Sequence, residues 1–252
     1  LKSIKKKKAP GWDGITAEHI LYGGKTLHEC LLKVFNIMLS LELMPSCLKK
    51  GVLISIPKGG KDSTIRENNR GITLLPILYK MYQTLLRNRL GVNALDLLEP
   101  VQGAGQKGLS CLHTSFLLRE VIQYNTERGN DVYIAFLDAK KAFDSVWILG
   151  LMYKLFYLGI DAKLWRVIYN MYTDFYCTVR IGGEYSEWFK IKQGVQQGAP
   201  LSMWLYQLYV NDLLILLRKS GFGAYFDDLN VTCPAYADDI ALVATSAFKL
   251  QE

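Results

Sequence analysis

Two adjacent carboxylates, Asp238 and Asp239, stand in Cys233-Pro-Ala-Tyr-Ala-Asp-Asp-Ile-Ala-Leu-Val243, between short apolar, strand-like runs. Like charges this close raise one another's pKa and burial raises it further, so a cation is the usual reason such a pair stays ionised. The pair reads as half of a metal site. A candidate for the other half lies upstream, in Asp131-Val-Tyr-Ile-Ala-Phe-Leu-Asp138. There a period of two sets Val132, Ile134, Phe136 and Asp138 on one face and Tyr133, Ala135 and Leu137 on the other. Asp138 thus closes a strand on an otherwise apolar face. In a hairpin, Asp238 and Asp239 occupy a two-residue turn, where Asp tolerates unusual backbone angles. If the two strands pair, three carboxylates converge at one sheet edge. Three oxygen ligands, completed by substrate phosphates and water, suit Mg²⁺. Each piece alone is weak, because an Asp-Asp dipeptide is more often a solvated turn and many strands end in Asp.

The elements that must position these residues can be read from pattern. Helical periodicity covers roughly 17–43, 78–98, 115–127, 146–158 and 162–174, and strand patterns cover 51–56, 132–137, 177–181, 188–191 and the Asp238-Asp239 hairpin. The residues after Asp138 lead into a helix, with Asp144 or Ser145 as the expected N-cap. Gly59-Gly60, Gly182-Gly183 and Gly221 punctuate turns. This mixed, non-alternating order argues for an α+β fold with helices on one side of a sheet.

Composition is compatible with an anionic partner. The 252 residues carry 30 Lys and Arg against 23 Asp and Glu, a net charge of +7, and half of them are hydrophobic, enough for a substantial core. Cys30, Cys47, Cys111, Cys177 and Cys233 show no paired spacing, and only three histidines are present, which argues against a zinc site and for a reducing compartment. No signal peptide is visible. The apolar run from Leu201 to Leu217 contains Ser202, Gln207, Asn211 and Asp212, so it reads as a buried helix and not a membrane span.

Further blocks accompany the aspartates: Ala9-Pro-Gly-Trp-Asp-Gly-Ile15, Ile54-Ser-Ile-Pro-Lys58, Asn69-Arg-Gly-Ile-Thr-Leu-Leu75 with Lys80, Gln102-Gly-Ala-Gly-Gln-Lys-Gly-Leu-Ser110, Phe136-Leu-Asp-Ala-Lys-Lys-Ala-Phe-Asp-Ser-Val146, and Gly194-Val-Gln-Gln-Gly-Ala-Pro-Leu-Ser-Met-Trp-Leu-Tyr-Gln-Leu-Tyr-Val-Asn-Asp-Leu213. Together with Tyr236-Ala-Asp-Asp239, and in this order, they resemble the reverse transcriptase domain of non-LTR, LINE-type retrotransposons, from about Lys8 to Val243. The resemblance implies a right-hand polymerase fold, with fingers at 1–110 and about 150–192 and palm at 111–149 and 193–252, and with the thumb missing from this fragment. It implies an RNA-directed DNA polymerase that adds dNTPs to a DNA primer on an RNA template. For that reaction the expected cofactor is a pair of Mg²⁺ ions, with Mn²⁺ as the substitute, and Asp138, Asp238 and Asp239 are the residues expected to hold the ions. Asp138 and Asp238 are the first choices for bridging them.

The resemblance also implies roles for other residues. Phe143 stands where an aromatic packs against the incoming sugar and excludes a 2′-hydroxyl; the plainer reading is a core Phe opening a helix. Lys58 and Arg70 are placed on the triphosphate, with Lys61 near enough to replace Lys58. Gln197 and Gly198 match a Gln-Gly pair that approaches the nucleotide, against the plain alternative of a strand-to-helix turn. Ala199, Met203 and Gly71 depart from the residues frequent at those places, and none of the three is a metal ligand. Lys5, Lys6, Lys7 and Lys8 read equally as template-backbone contacts and as a solvated terminus. Tyr169, Tyr172, Phe175 and Tyr176 read as helical core packing before base stacking. Two other readings stay open: a decayed, non-catalytic nucleic-acid binder, and a group II intron-like maturase. The family implies action in the nucleus.

Overall fold

The computed structural model describes residues 4–60, 62, 64–94, 97–106 and 108–252. The chain forms two compact units, Leu1–Leu90 with Val146–Ser202, and Gly91–Ser145 with Met203–Glu252.

The first unit is organised by β1 (Lys50–Pro57), which pairs antiparallel with β2 (Asn69–Leu74) and parallel with β4 (Tyr176–Ile181). Two short strands, β5 (Glu184–Tyr185) and β6 (Phe189–Lys190), pair antiparallel with β4. A parallel partner so distant in sequence requires a crossover; the second part of this unit supplies α5 (Ile148–Tyr157) and α6 (Ala162–Tyr172) ahead of β4. Asp161 caps α6 by accepting the backbone N–H groups of Lys163 and Leu164 at 3.1 Å. Val167, Ile168, Met171 and Tyr172 form the buried stripe of α6. They share this unit's core with Tyr79, Tyr82 and Leu86 of α3 (Ile77–Ala94).

Three expectations change here. The single helix read over 17–43 is two, α1 (Ala17–Tyr22) and α2 (Gly24–Ser40). Gly24 holds φ +76°, a left-handed residue that a continuous helix does not accommodate. Neither Asp144 nor Ser145 caps α5, which begins after Trp147. The Ser145 hydroxyl instead donates to the Ala142 carbonyl at 3.1 Å, inside a run of turns that satisfies itself locally. Strand β2 runs through Asn69–Leu74, which the sequence presents as a motif and not as a strand pattern.

The second unit centres on a three-stranded antiparallel sheet: β3 (Tyr133–Asp138), then β10 (Asp239–Ala244), then β9 (Ala235–Tyr236). Around it stand α4 (Cys111–Glu127), most of α7 (Ser202–Lys219), the hairpin of β7 (Tyr225–Phe226) and β8 (Leu229–Asn230), and α8 (Ala247–Gln251). Val121, Ala224, Val231 and Val243 make one buried cluster, with Val132 and Ile134 packed against it. Val101, Leu214, Cys233, Ala235 and Ile240 make another. The buried-helix reading of Leu201 to Leu217 holds. Asn211 of α7 is bonded within the unit: its side chain accepts from the Glu99 N–H and donates to the Leu97 carbonyl, both at 2.8 Å. Among the described residues no helix is long and apolar enough to cross a membrane.

Candidate active site

In the second unit, β3 and β10 pair so that Asp138 lies directly opposite Asp239, while Asp239 is also in register with Tyr236 of β9. The hairpin turn is therefore Ala237-Asp238, one residue earlier than the Asp238-Asp239 turn expected from sequence, and Asp239 is the first residue of its strand. Ala237 takes φ +59°, the positive angle that tight hairpin turns demand at their first central position. Directly opposed residues of an antiparallel pair share a face, with Cβ atoms ~4.5–5.5 Å apart. Asp138 and Asp239 thus project from one face of one sheet end.

The strand that carries Asp138 leaves the core as it approaches the site. Val132 and Ile134 pack inside, whereas Phe136 is 74% exposed and Asp138 is exposed with it. Asp239 is exposed as well and Asp238 partly so. Burial accordingly contributes little to the cost of holding charge at this sheet end.

Gln102, only 1% exposed, meets both backbone groups of the turn residue. Its Oε1 accepts the Ala237 N–H at 2.8 Å, and its Nε2 donates to the Ala237 carbonyl at 3.1 Å. Tyr206 of α7 is the other neighbour. Its ring stacks on Phe143 at 4.9 Å between centroids and 14° between planes. Burial, with the nearby negative charges of Asp238 and Asp239, pushes the Tyr206 phenol up to about 12. Phe143 is half-buried, so one face of its ring packs on Tyr206 while part of the side chain stays open. Neither Gln102 nor Tyr206 stood out as a site residue from sequence. Gln102 opens a recognised block, and Tyr206 lies inside the long run after Gly194, but nothing in either residue's type signalled the contact.

The structure gathers carboxylate positions more fully than carboxylate groups. Among the described residues no cluster of three or more His, Cys, Asp or Glu side chains stands ready to hold a metal ion. The donor set still fits a hard divalent cation: two opposed aspartates and a third beside them offer oxygen only, the chemistry Mg²⁺ selects.

The remaining sequence candidates belong to the first unit. Arg70 is exposed on β2, opposite Ile56 of β1. Lys58 closes the same hairpin, its N–H donating to the Asn68 carbonyl at 2.8 Å, while its Nζ donates to the Glu67 carbonyl at 3.0 Å. Its ammonium therefore folds back on the connecting loop. Lys61 lies outside the described residues. Gly198 holds φ +95°, an angle that favours glycine, and Gln197 is half-buried with its carbonyl accepting the Thr73 N–H at 3.3 Å. The fully enclosed amide is that of the preceding Gln196, whose Nε2 donates to the Tyr79 hydroxyl at 3.5 Å. Lys5, Lys6, Lys7 and Lys8 are exposed, yet the run is tied down: Lys6 Nζ donates to the Tyr22 hydroxyl at 2.7 Å and the Lys7 N–H to Glu18 at 2.6 Å. Tyr172 and Phe175 are core residues and Tyr176 is exposed.

Comparison with known proteins decides the family. Residues 56–252 match the family described as reverse transcriptase (RNA-dependent DNA polymerase). The chain belongs to that family. The matched span includes Asp138, Asp238 and Asp239 and excludes the Lys5–Lys8 run. Relatives of this reverse transcriptase domain are proteins of mobile elements. It is 29% identical to the transposon TX1 uncharacterized 149 kDa protein of Xenopus laevis, over all of this chain and 19% of that protein. It is 31% identical to the RNA-directed DNA polymerase from mobile element jockey of Drosophila melanogaster, over 95% of this chain and 26% of the relative. It is 30% identical to the Pol polyprotein from the type-1 retrotransposable element R2 of Popillia japonica, over 94% and 33%. The reverse transcriptase domain thus spans between about a fifth and a third of these relatives' length. These are the non-LTR relatives that the block order resembles. Among solved structures, apo telomerase from Candida Tropicalis aligns with a TM-score of 0.56 at 15% identity, over 81% of this chain and 40% of that one. That likeness supports the α+β right-hand polymerase fold.

Proposed function

We propose that this reverse transcriptase domain performs RNA-directed DNA synthesis for a non-LTR retrotransposon, adding dNTPs to a primer 3′-hydroxyl on an RNA template. The observation that carries the reading is the register that sets Asp239 opposite Asp138, with Asp238 in the adjoining turn. Bound divalent cations would supply Lewis-acid activation of the 3′-hydroxyl and neutralise the departing pyrophosphate, and these three aspartates are the residues to hold them. Phe143, backed by Tyr206, is proposed to bar a 2′-hydroxyl. Arg70 and Lys58 are proposed for the triphosphate, and Gln197 and Gly198 for the nucleotide; these assignments rest on the blocks the residues occupy. Fingers at 1–110 and about 150–192 and palm at 111–149 and 193–252 are proposed with this reading. Nuclear action follows from the family and is proposed with it.

Extension of a DNA primer tests the reading when template and nucleotide are varied together. RNA template with dNTP and Mg²⁺ is expected to support synthesis, and NTPs are expected to be used poorly. Template-independent addition, or equal use of NTPs, would contradict it.

A further inference from the structure

The turn that carries Asp238 depends on Ala237 holding φ +59°, a left-handed angle that alanine adopts at a cost and glycine without one. Gln102 is built to impose it. One primary carboxamide serves both the donor and the acceptor of that single residue, and its Oε1 also accepts the Ala104 N–H at 3.2 Å. A glutamate lacks the donor and a leucine lacks both groups. Enclosing an amide without partners is unfavourable, so a buried Gln beside a turn is explained by the bonds it makes.

The segment around Gln102 is itself fixed. The Gly103 N–H donates to the Ala235 carbonyl at 2.8 Å, and the Ala235 N–H donates to the Val101 carbonyl at 2.9 Å. Gln207 Nε2 of α7 donates to the Ala104 carbonyl, and Gln106 Nε2 donates to the Gln102 carbonyl at 2.5 Å. The amide therefore reaches the turn from a braced loop.

We infer that Gln102 is a positioning residue for the polymerase site: its buried carboxamide holds Ala237 in the left-handed form and so fixes Asp238 relative to the Asp138–Asp239 pair. The inference rests on the reading of these aspartates as the nucleotidyl-transfer site. It assigns a task to a residue whose amide acts on the site through the Ala237 backbone.

Amide hydrogen exchange at Ala237, followed beside primer extension, tests it. In the unaltered protein the Ala237 N–H is expected to exchange slowly. In Gln102→Leu it should exchange at least ~100-fold faster, while the Val243 N–H, bonded to the Thr232 carbonyl at 2.9 Å, keeps its rate. The same variant should lose ~10–100-fold in kcat with KM for dNTP nearly unchanged, the scale of a small misplacement in a catalytic site. Adding Ala237→Gly should restore much of that kcat, because glycine takes the positive φ unaided. Should Gln102→Leu fail to fold, Gln102→Glu carries the same rescue test with the accepted bonds retained. Equal exchange at Ala237 in the unaltered protein and Gln102→Leu overturns the inference, as does a kcat deficit that Ala237→Gly leaves untouched. Failure of the underlying reading looks different: Asp238→Asn would then leave extension unchanged while the exchange difference at Ala237 persisted.

Discussion

Asp239 faces Asp138 directly across the β3–β10 pair, the first residue of one strand against the last of the other. Opposed like charges destabilise a sheet. Ile134 of β3, with Val132 just before it, packs against the core, so the pair stands at the solvent-open end of an anchored strand.

Asp138→Asn and Asp239→Asn should each reduce primer extension at least ~100-fold, since holding a catalytic cation is worth several kcal/mol of transition-state charge stabilisation. Both residues are exposed and neutralising either relieves their opposition, so thermal melts should hold or rise slightly. The double variant should lose little beyond either single one, because the pair acts as a unit. Additive losses would separate their roles.

Phe143→Ala should raise the ratio of ribonucleotide to deoxyribonucleotide incorporation ~10-fold or more, the worth of one steric contact in a specificity pocket. Competitive incorporation on one template reads the ratio. An active variant with an unchanged ratio would reduce Phe143 to a packing partner of Tyr206.

The site was legible in unequal parts. The positions of the aspartates and the apolar periodicity of β3 were readable because type and spacing carry them, whereas Phe143 was singled out by the resemblance alone. The register was open, since a hairpin with Asp238-Asp239 at its turn and one with Ala237-Asp238 there satisfy the same pattern. Only the left-handed Ala237 and the pairing of Asp239 with both neighbours separate them. Gln102 was illegible because it acts through hydrogen bonds to backbone groups far along the chain, which leave no periodic trace. Strand β2 was hidden in the same way, as its pairing with β1 gives little alternation in Asn69-Arg-Gly-Ile-Thr-Leu74.

Burial pushes the thiols of Cys177 and Cys233 up to about 12, while Cys30, Cys47 and Cys111 are exposed. Native protein treated with iodoacetamide at pH 8 should be alkylated at the three exposed cysteines only, as read by peptide mass. Linkage runs in the same direction. The folded state keeps protons that the unfolded thiols release near 9, so this stability is complete below pH 9 and is lost as pH rises toward about 12. Urea midpoints should fall over that window, and less so in Cys177→Ala/Cys233→Ala.

Gly11 packs where a Cβ would stand 2.6 Å from the Pro76 nitrogen and 2.8 Å from the Leu75 carbonyl carbon, both backbone atoms. Gly11→Ala should therefore cost about 1–3 kcal/mol, as overpacking does. Urea denaturation would show it. A cost near zero would mean that the loop from Ala9 to Ile15 shifts freely against β2 and its sequel.

The most direct test of the central claim is primer extension on an RNA template with dNTP and Mg²⁺, made with the full translation product of this reading frame and its Asp238→Ala variant. The account predicts extension by the first and none above background by the second, with the variant still folded. Extension that survives Asp238→Ala, or its absence from both proteins, would contradict it.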